Sequence, residues 1–261
     1  MGQTVFAPET HPTVALRPGV AYPDWSAIAS PTVARALHAY LAASGVERRW
    51  AGLSDDEARV HRAVLSAFAE TGAAPTAARI AAATELAREV VDDCLASLAE
   101  RDVLVRDDGG NTVGAYPFSA RPRGHRVRLD GRAVEALCAI DALGIGAMLG
   151  VDSTIASACA HCGAPIHIAT RDGGRTLKAR APATTLVWFG TGYVDACAAN
   201  SACRTMAFLC HDTDLDAWRA TSKAAGFRLS LTEALELARA MFTPFLAPET
   251  PPRTVQETVS S

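Results

Sequence analysis

The sequence predicts an α+β protein: a helical N-terminal lobe of winged-helix-like order, followed by a lobe of short, mainly antiparallel strands with helices. Three observations predict it. Apolar stripes at helical spacing dominate residues 32–98, a short hairpin pattern closes that stretch, and beyond residue 120 short alternating runs are interleaved with two further helical patterns. The chain has 261 residues, 49% hydrophobic and 20% charged, enough to bury a sizeable core.

Residues 1–50 read as an N-terminal extension with one helix. Its residues to about 32 are rich in Pro, Ala and Thr without sustained periodicity and are expected to form an arm or a partly ordered extension; the helix covers Thr32 to about Ser44. Residues 51–119 read as the winged-helix-like lobe. Ser54 and Glu57 form a capping box ahead of a stripe containing Val60, Val64, Leu65 and Phe68, and Gly72 ends it. A short helix is expected from Thr76 through Ile80. A longer one, capped by Thr84, carries Leu86, Val90, Val91, Leu95 and Leu98, and VLV at 103–105, DDGGN and TVGAY at 112–116 form a hairpin.

This order often belongs to DNA-binding proteins, but the charges oppose that use. The helix that would enter the groove carries Glu85, Glu89, Asp92, Asp93 and Glu100 against Arg88 and Arg101. A net-negative face does not neutralise phosphates. The whole chain has a formal charge of −3, so no nucleic-acid or membrane partner is expected. No run approaches the roughly 18 apolar residues of a membrane helix, and the first residues lack the charged-then-apolar order of a signal peptide; a cytoplasmic protein is expected.

Residues 120–247 read as a second lobe, of short strands and helices. HRVRLDG alternates as a strand, and a helix is expected from about Arg132 to Gly144. Strands are expected near Ile166–Ala169, Thr184–Phe189 and Met206–Leu209, and helices over about Thr213–Ala225 and Leu231–Phe242. Residues 248–261 are polar and Pro-containing and are expected to be a disordered tail.

Chemistry concentrates in this lobe. Of seven cysteines, six lie between Cys138 and Cys210, and an odd number without export signals favours reduced thiols over a disulfide framework. Cys94 reads as a buried apolar residue. In VEALCAIDALGI, a continuous helix would place Val134, Cys138, Asp141 and Ile145 on one face, setting a carboxylate beside a thiol on an apolar stripe. Desolvation there raises an aspartate's pKa and suits it to carry a proton near neutral pH. The alternative is a packing cysteine and a capping aspartate.

CAHCG at 159–163 has zinc-knuckle spacing, and Cys197, Cys203, Cys210 or His211 could complete four ligands. The later spacings are loose and no second tight pair is evident, so no resident zinc is expected. No thioredoxin-like context surrounds the pair to make it a redox motif.

The segments LCAIDAL (137–143), SACAHCGAPI (157–166), NSACRTMAFL (200–209), then DAWRA and LTEALELARAMF, resemble in order and spacing the organomercurial (alkylmercury) lyases. The resemblance spans roughly Ala51 to Phe245. It implies that Cys138 and Cys203 are the catalytic thiols that hold the substrate's mercury, that Asp141 is the catalytic aspartate, and that Cys159 is structural. Leu137 stands where an aromatic residue is usual, Arg204 where a further cysteine can occur, and Cys162 is an addition. The implied reaction is protonolysis of the carbon–mercury bond to a hydrocarbon and Hg(II). It needs no organic cofactor, only organomercurial substrates and cytosolic thiols or a mercuric reductase to accept the ion.

The residue types suit that chemistry independently. Soft thiolates hold soft metals, and the departing carbon needs a proton. Two other functions share the pattern: a paralogue of the same fold using the thiol pair for another thiol- or metal-dependent reaction, and a winged-helix metal-sensing regulator.

Overall fold

The computed structural model describes residues 11–194 and 197–248. The expected disordered tail and the first residues of the expected arm lie outside them. The fold is α+β with antiparallel sheets.

The chain begins with a hairpin, β1 (Val14–Arg17) and β2 (Val20–Tyr22). This corrects the expectation of an arm across residues 11–32: Leu16, Val20 and Tyr22 are buried in the core. The hairpin also carries Arg17, itself buried, whose guanidinium donates to the carbonyls of Pro244 (3.2 Å) and Ala247 (2.6 Å) at the far end of the chain. Those carbonyls close the last helix and have no partner within it, and a cation there also meets the negative end of the helix dipole. A low-periodicity sequence hid a segment whose partners lie over two hundred residues away.

Helices α1 (Pro31–Ser44), α2 (Val46–Trp50), α3 (Asp55–Thr71), α4 (Ala77–Thr84) and α5 (Arg88–Glu100) follow. The capping box forms as expected: the Glu57 amide donates to Ser54 Oγ and the Ser54 amide to the Glu57 carboxylate, while Gly72 ends α3 at positive φ. Thr84 does not cap α5. It is the last residue of α4, and its hydroxyl donates back to the Ile80 carbonyl at 2.7 Å. Glu85 then turns the chain with φ +57° and α5 starts at Arg88.

Strands β3 (Leu104–Arg106), β4 (Thr112–Ala115), β5 (Phe118–Ser119), β6 (Arg126–Leu129) and β7 (Arg132–Ala136) come next. The expected hairpin at 103–116 is therefore one end of a larger sheet. With β8 (Thr154–Ala158), β9 (Pro165–Arg171) and β10 (Thr176–Ala181) it forms eight strands ordered β10-β9-β8-β6-β7-β5-β4-β3. Phe68 of α3 stacks on Phe118 of β5 at 5.6 Å, fastening the helices to this sheet.

The expected helix from Arg132 is corrected to strand and then helix. Asp130 (φ +43°) and Gly131 (φ +85°) make a two-residue turn, and β7 returns along β6 with Val127 opposite Val134. Asp-Gly at both positive-φ positions is a strong hairpin signal. Only afterwards does α6 (Ala139–Leu149) begin. It is buried from Ala139 through Met148. A second sheet, β12-β11-β13, comprises β11 (Leu186–Gly190), β12 (Ala207–Leu209) and β13 (Gly226–Ser230). Helix α7 (Asp212–Ser222) precedes β13, and α8 (Leu231–Leu246) follows it with a second complete capping box, Ser230 and Glu233. Helix α8 lies against α6 so closely that a Cβ on Gly144 would stand 2.2 Å from the Phe242 ring.

Candidate active site

Cys138 sits where the chain leaves the sheet and enters α6. It has extended backbone (φ −154°, ψ −177°) and is the residue that caps the helix, its Sγ accepting from the Asp141 amide at 3.4 Å. A cap normally carries oxygen, and a thiol at this place puts sulfur at the positive end of a helix, where a thiolate is favoured. Cys138 and Asp141 are thus neighbours as expected, for a different reason: cap and third helical residue, rather than two residues on the face of one continuous helix.

Cys203 arrives from the other side, on the connection between β11 and β12, within a short 3₁₀ turn (Ala202–Thr205). Next in the chain, Met206 ties the halves together. Its carbonyl accepts from the Ala139 amide at 3.2 Å, and its sulfur is 3.6 Å from Cys138 Sγ. Gly190 makes the approach possible, since a Cβ there would fall 1.9 Å from the Thr205 hydroxyl.

The result is a buried triad. One ligand atom from each of Cys138, Asp141 and Cys203 lies within 4.8 Å of the other two. The Cys203 thiol donates to Asp141 Oδ2 at 3.7 Å. Burial pushes the Asp141 carboxyl up to about 7, although hydrogen bonds from both thiols pull the other way. Burial also pushes Cys138 up to about 11, and the neighbouring Cys138 thiol together with burial holds Cys203 well above the ordinary thiol range. At neutral pH both thiols keep their protons while the carboxylate between them is near its midpoint.

A cavity reaches Cys203. It measures about 510 Å³ and is lined by Cys203, Arg204, Met206, Phe208, Leu137 and His125, among others, whereas Cys138 and Asp141 lie behind that wall. His125, half-buried and held by Ser157 Oγ at 2.9 Å, has its pKa lowered to about 4 by desolvation and is neutral there.

Sequence reasoning missed the support of the Cys203 loop. Asp102, buried and with φ +55°, accepts from the Tyr116 hydroxyl (2.9 Å), the Tyr193 hydroxyl (2.7 Å) and the Ala198 amide (2.9 Å). Tyr116 Oη in turn accepts from the Ala199 amide at 2.8 Å. These residues bind the start of the eight-stranded sheet to the loop that delivers Cys203. An aspartate between Arg101 and Val103, ahead of an apolar strand, was the one available hint.

The other cysteines go elsewhere. Cys94 is buried in α5, and Cys197 is half-buried in the loop before the 3₁₀ turns. Cys159, Cys162 and Cys210 gather with Asp214 in a second cluster. Cys203 is not part of it. Among the described residues no helix is long and apolar enough to cross a membrane.

A sequence profile of the MerB alkylmercury lyase family matches residues 118–243, which contain every residue of both clusters. Among solved structures, the mercury-bound form of MerB2 superposes with a TM-score of 0.66 at 24% identity, covering 84% of this chain and all of that one. No curated protein matches the sequence significantly.

Proposed function

We propose that this chain, whose residues 118–243 match the alkylmercury lyase family, cleaves the carbon–mercury bond of organomercurials by protonolysis, with Cys138, Cys203 and Asp141 as its catalytic groups. The observation that carries this reading is the buried set of two thiols around one carboxyl of raised pKa, with one thiol facing a cavity.

The geometry supports the following steps. Cys203 lines the cavity, so its sulfur meets the mercury of R–Hg–X first, displaces X, and passes its proton to the carboxylate 3.7 Å away. Cys138 then adds its sulfur to the same mercury and its proton leaves with X as HX. The carbon–mercury bond breaks with its electron pair on carbon, and carbon takes the proton from Asp141. The balance is R–Hg–X plus two thiols giving R–H, HX and mercury held by two thiolates. Sulfur serves because a soft metal prefers it over oxygen, and a positioned acid contributes about 10²–10⁴ in rate. Met206 sulfur beside Cys138 adds a third soft, uncharged contact on the same side. Organomercurials are the substrates on this reading, and cytosolic thiols or a mercuric reductase remove the ion. The site itself supplies the chemistry without an organic cofactor.

Incubation with phenylmercury or methylmercury and excess thiol, followed by assay for benzene or methane, tests the proposal. Stoichiometric hydrocarbon supports it. Tight mercurial binding with no hydrocarbon would favour a paralogue that keeps the thiol pair for another reaction.

A further inference from the structure

The second cysteine cluster belongs to no step above. CAHCG forms the connection between β8 and β9, a tight turn in which the Gly163 amide donates to the Cys159 carbonyl (3.0 Å) and Gly163 takes φ +72°. Cys159 Sγ and Cys162 Sγ each stand 3.4 Å from Asp214 Oδ2, and Cys162 Sγ is 4.0 Å from Cys210 Sγ. All four ligand atoms lie within 4.8 Å of one another. Cys210 ends the β12 segment and Asp214 is in the first turn of α7, so the partners of the turn come from about fifty residues away. A tetrahedral zinc ion with Zn–S of about 2.3 Å and Zn–O of about 2.0–2.2 Å sets its ligand atoms about 3.5–3.8 Å apart. The cluster is already close to that spacing.

We infer that Cys159, Cys162, Cys210 and Asp214 form a structural zinc site. The second ligand pair that the sequence lacked is supplied by the tertiary fold. The donor set of three thiolates and one carboxylate suits a borderline ion such as Zn²⁺. A disulfide would join only two of the three sulfurs and leave a third thiol and a carboxylate crowded beside it. His211 caps α7 and sits with Nε2 3.5 Å from Asp214 Oδ2, in position to orient the carboxylate. The Ala160 amide also donates to the Phe208 carbonyl at 3.0 Å, so the two segments already touch beside the ligands.

The site has a consequence for the cavity. Ser157, Ala158, Cys159 and Ala160 form one wall of the opening onto Cys203, and Phe208 another. An ion joining the β8–β9 turn to the end of β12 fixes those two walls against each other. The catalytic thiols are left open, and the zinc reading stands or falls separately from carbon–mercury cleavage.

Elemental analysis of full-length protein, purified under reducing conditions without chelator, tests the assignment. About one zinc per chain is expected in wild type, in Cys94→Ser and in the Cys138→Ser/Cys203→Ser double variant. Cys162→Ser, at an exposed position, and Asp214→Ala should each lose it. Cobalt added to the zinc-free protein should give the thiolate charge-transfer and intense visible bands of a tetrahedral site in wild type and not in Cys162→Ser. Three outcomes would overturn the inference: reduced wild type without zinc and without the cobalt spectrum, zinc that leaves with the Cys138/Cys203 pair instead, or a native Cys162–Cys210 disulfide.

Discussion

The carboxylate of Asp102 accepts a hydrogen bond from the backbone amide of Ala198 at 2.9 Å, across ninety-six residues of chain. Both oxygens of this buried group are engaged, by two tyrosine hydroxyls and that amide. Asp102→Ala strands three donors, two of them buried, and should destabilise the protein by about 2–4 kcal/mol, measured by urea unfolding. Cleavage should fall with it, because the loop delivering Cys203 loses its anchor. Asp102→Asn, which turns one acceptor oxygen into a donor, should fall between. Wild-type stability in both variants would remove Asp102 as a support of the site.

Asp141→Asn separates binding from chemistry. The amide keeps the shape and the thiols keep the metal, so mercurial binding should persist while single-turnover hydrocarbon release drops by about two orders of magnitude or more. If Asp141 only closes the first turn of α6, Asn substitutes well. Turnover within about threefold of wild type would then exclude it from proton transfer.

Cys138→Ser and Cys203→Ser should each abolish cleavage, since a hydroxyl is a hard ligand that does not replace thiolate on mercury. Cys94→Ser, in the core of α5 and far from both clusters in sequence, should retain cleavage. Benzene release from phenylmercury reads all three.

The raised Asp141 pKa predicts two opposite pH trends. The carboxylate must be ionised to accept the Cys203 proton, so kcat/KM should rise with pH through a single ionisation near 7, and this limb should disappear in Asp141→Asn. Stability runs the other way. The folded carboxyl holds its proton up to about 7 while the unfolded one releases it near 4, so the cost of burying the charge grows over that window and is complete above it. Asp141→Asn should therefore be more stable than wild type at pH 8, by an amount on the order of a few kcal/mol that vanishes toward pH 4. Denaturation curves at both pH values check the sign.

Much of this site could be read in the sequence, through local signals. The capping box at Ser54/Glu57 is complete within four residues, and the short spacing of Cys138 and Asp141 brings them together, though as cap and third helical residue; Cys203 joined them only through the family resemblance. Most of what escaped depended on distant partners. Arg132–Ala136 is the exception: its partner β6 is one two-residue turn away, and Asp130-Gly131 is a local hairpin signal that the helical reading passed over. Arg17 and Asp102 carry no local signature, because what they satisfy is the end of α8 and the loop at Ala198. CAHCG lacked a visible second pair because Cys210 and Asp214 reach it only when β12 and α7 fold against the β8–β9 turn.

The eight-stranded sheet begins beside the helices that precede it and ends beyond the site, without a seam between them. A chimera joining the stretch up to Ala115 of one relative to the remainder of another would therefore be cut through a hydrogen-bonded ladder. It would have to reproduce the pairing of β4 with β5, the stack of Phe68 on Phe118 and the reach of Asp102 to Ala198 all at once. Recombination of this chain is constrained to cuts that leave those contacts with a single parent, so its two ends are inherited together.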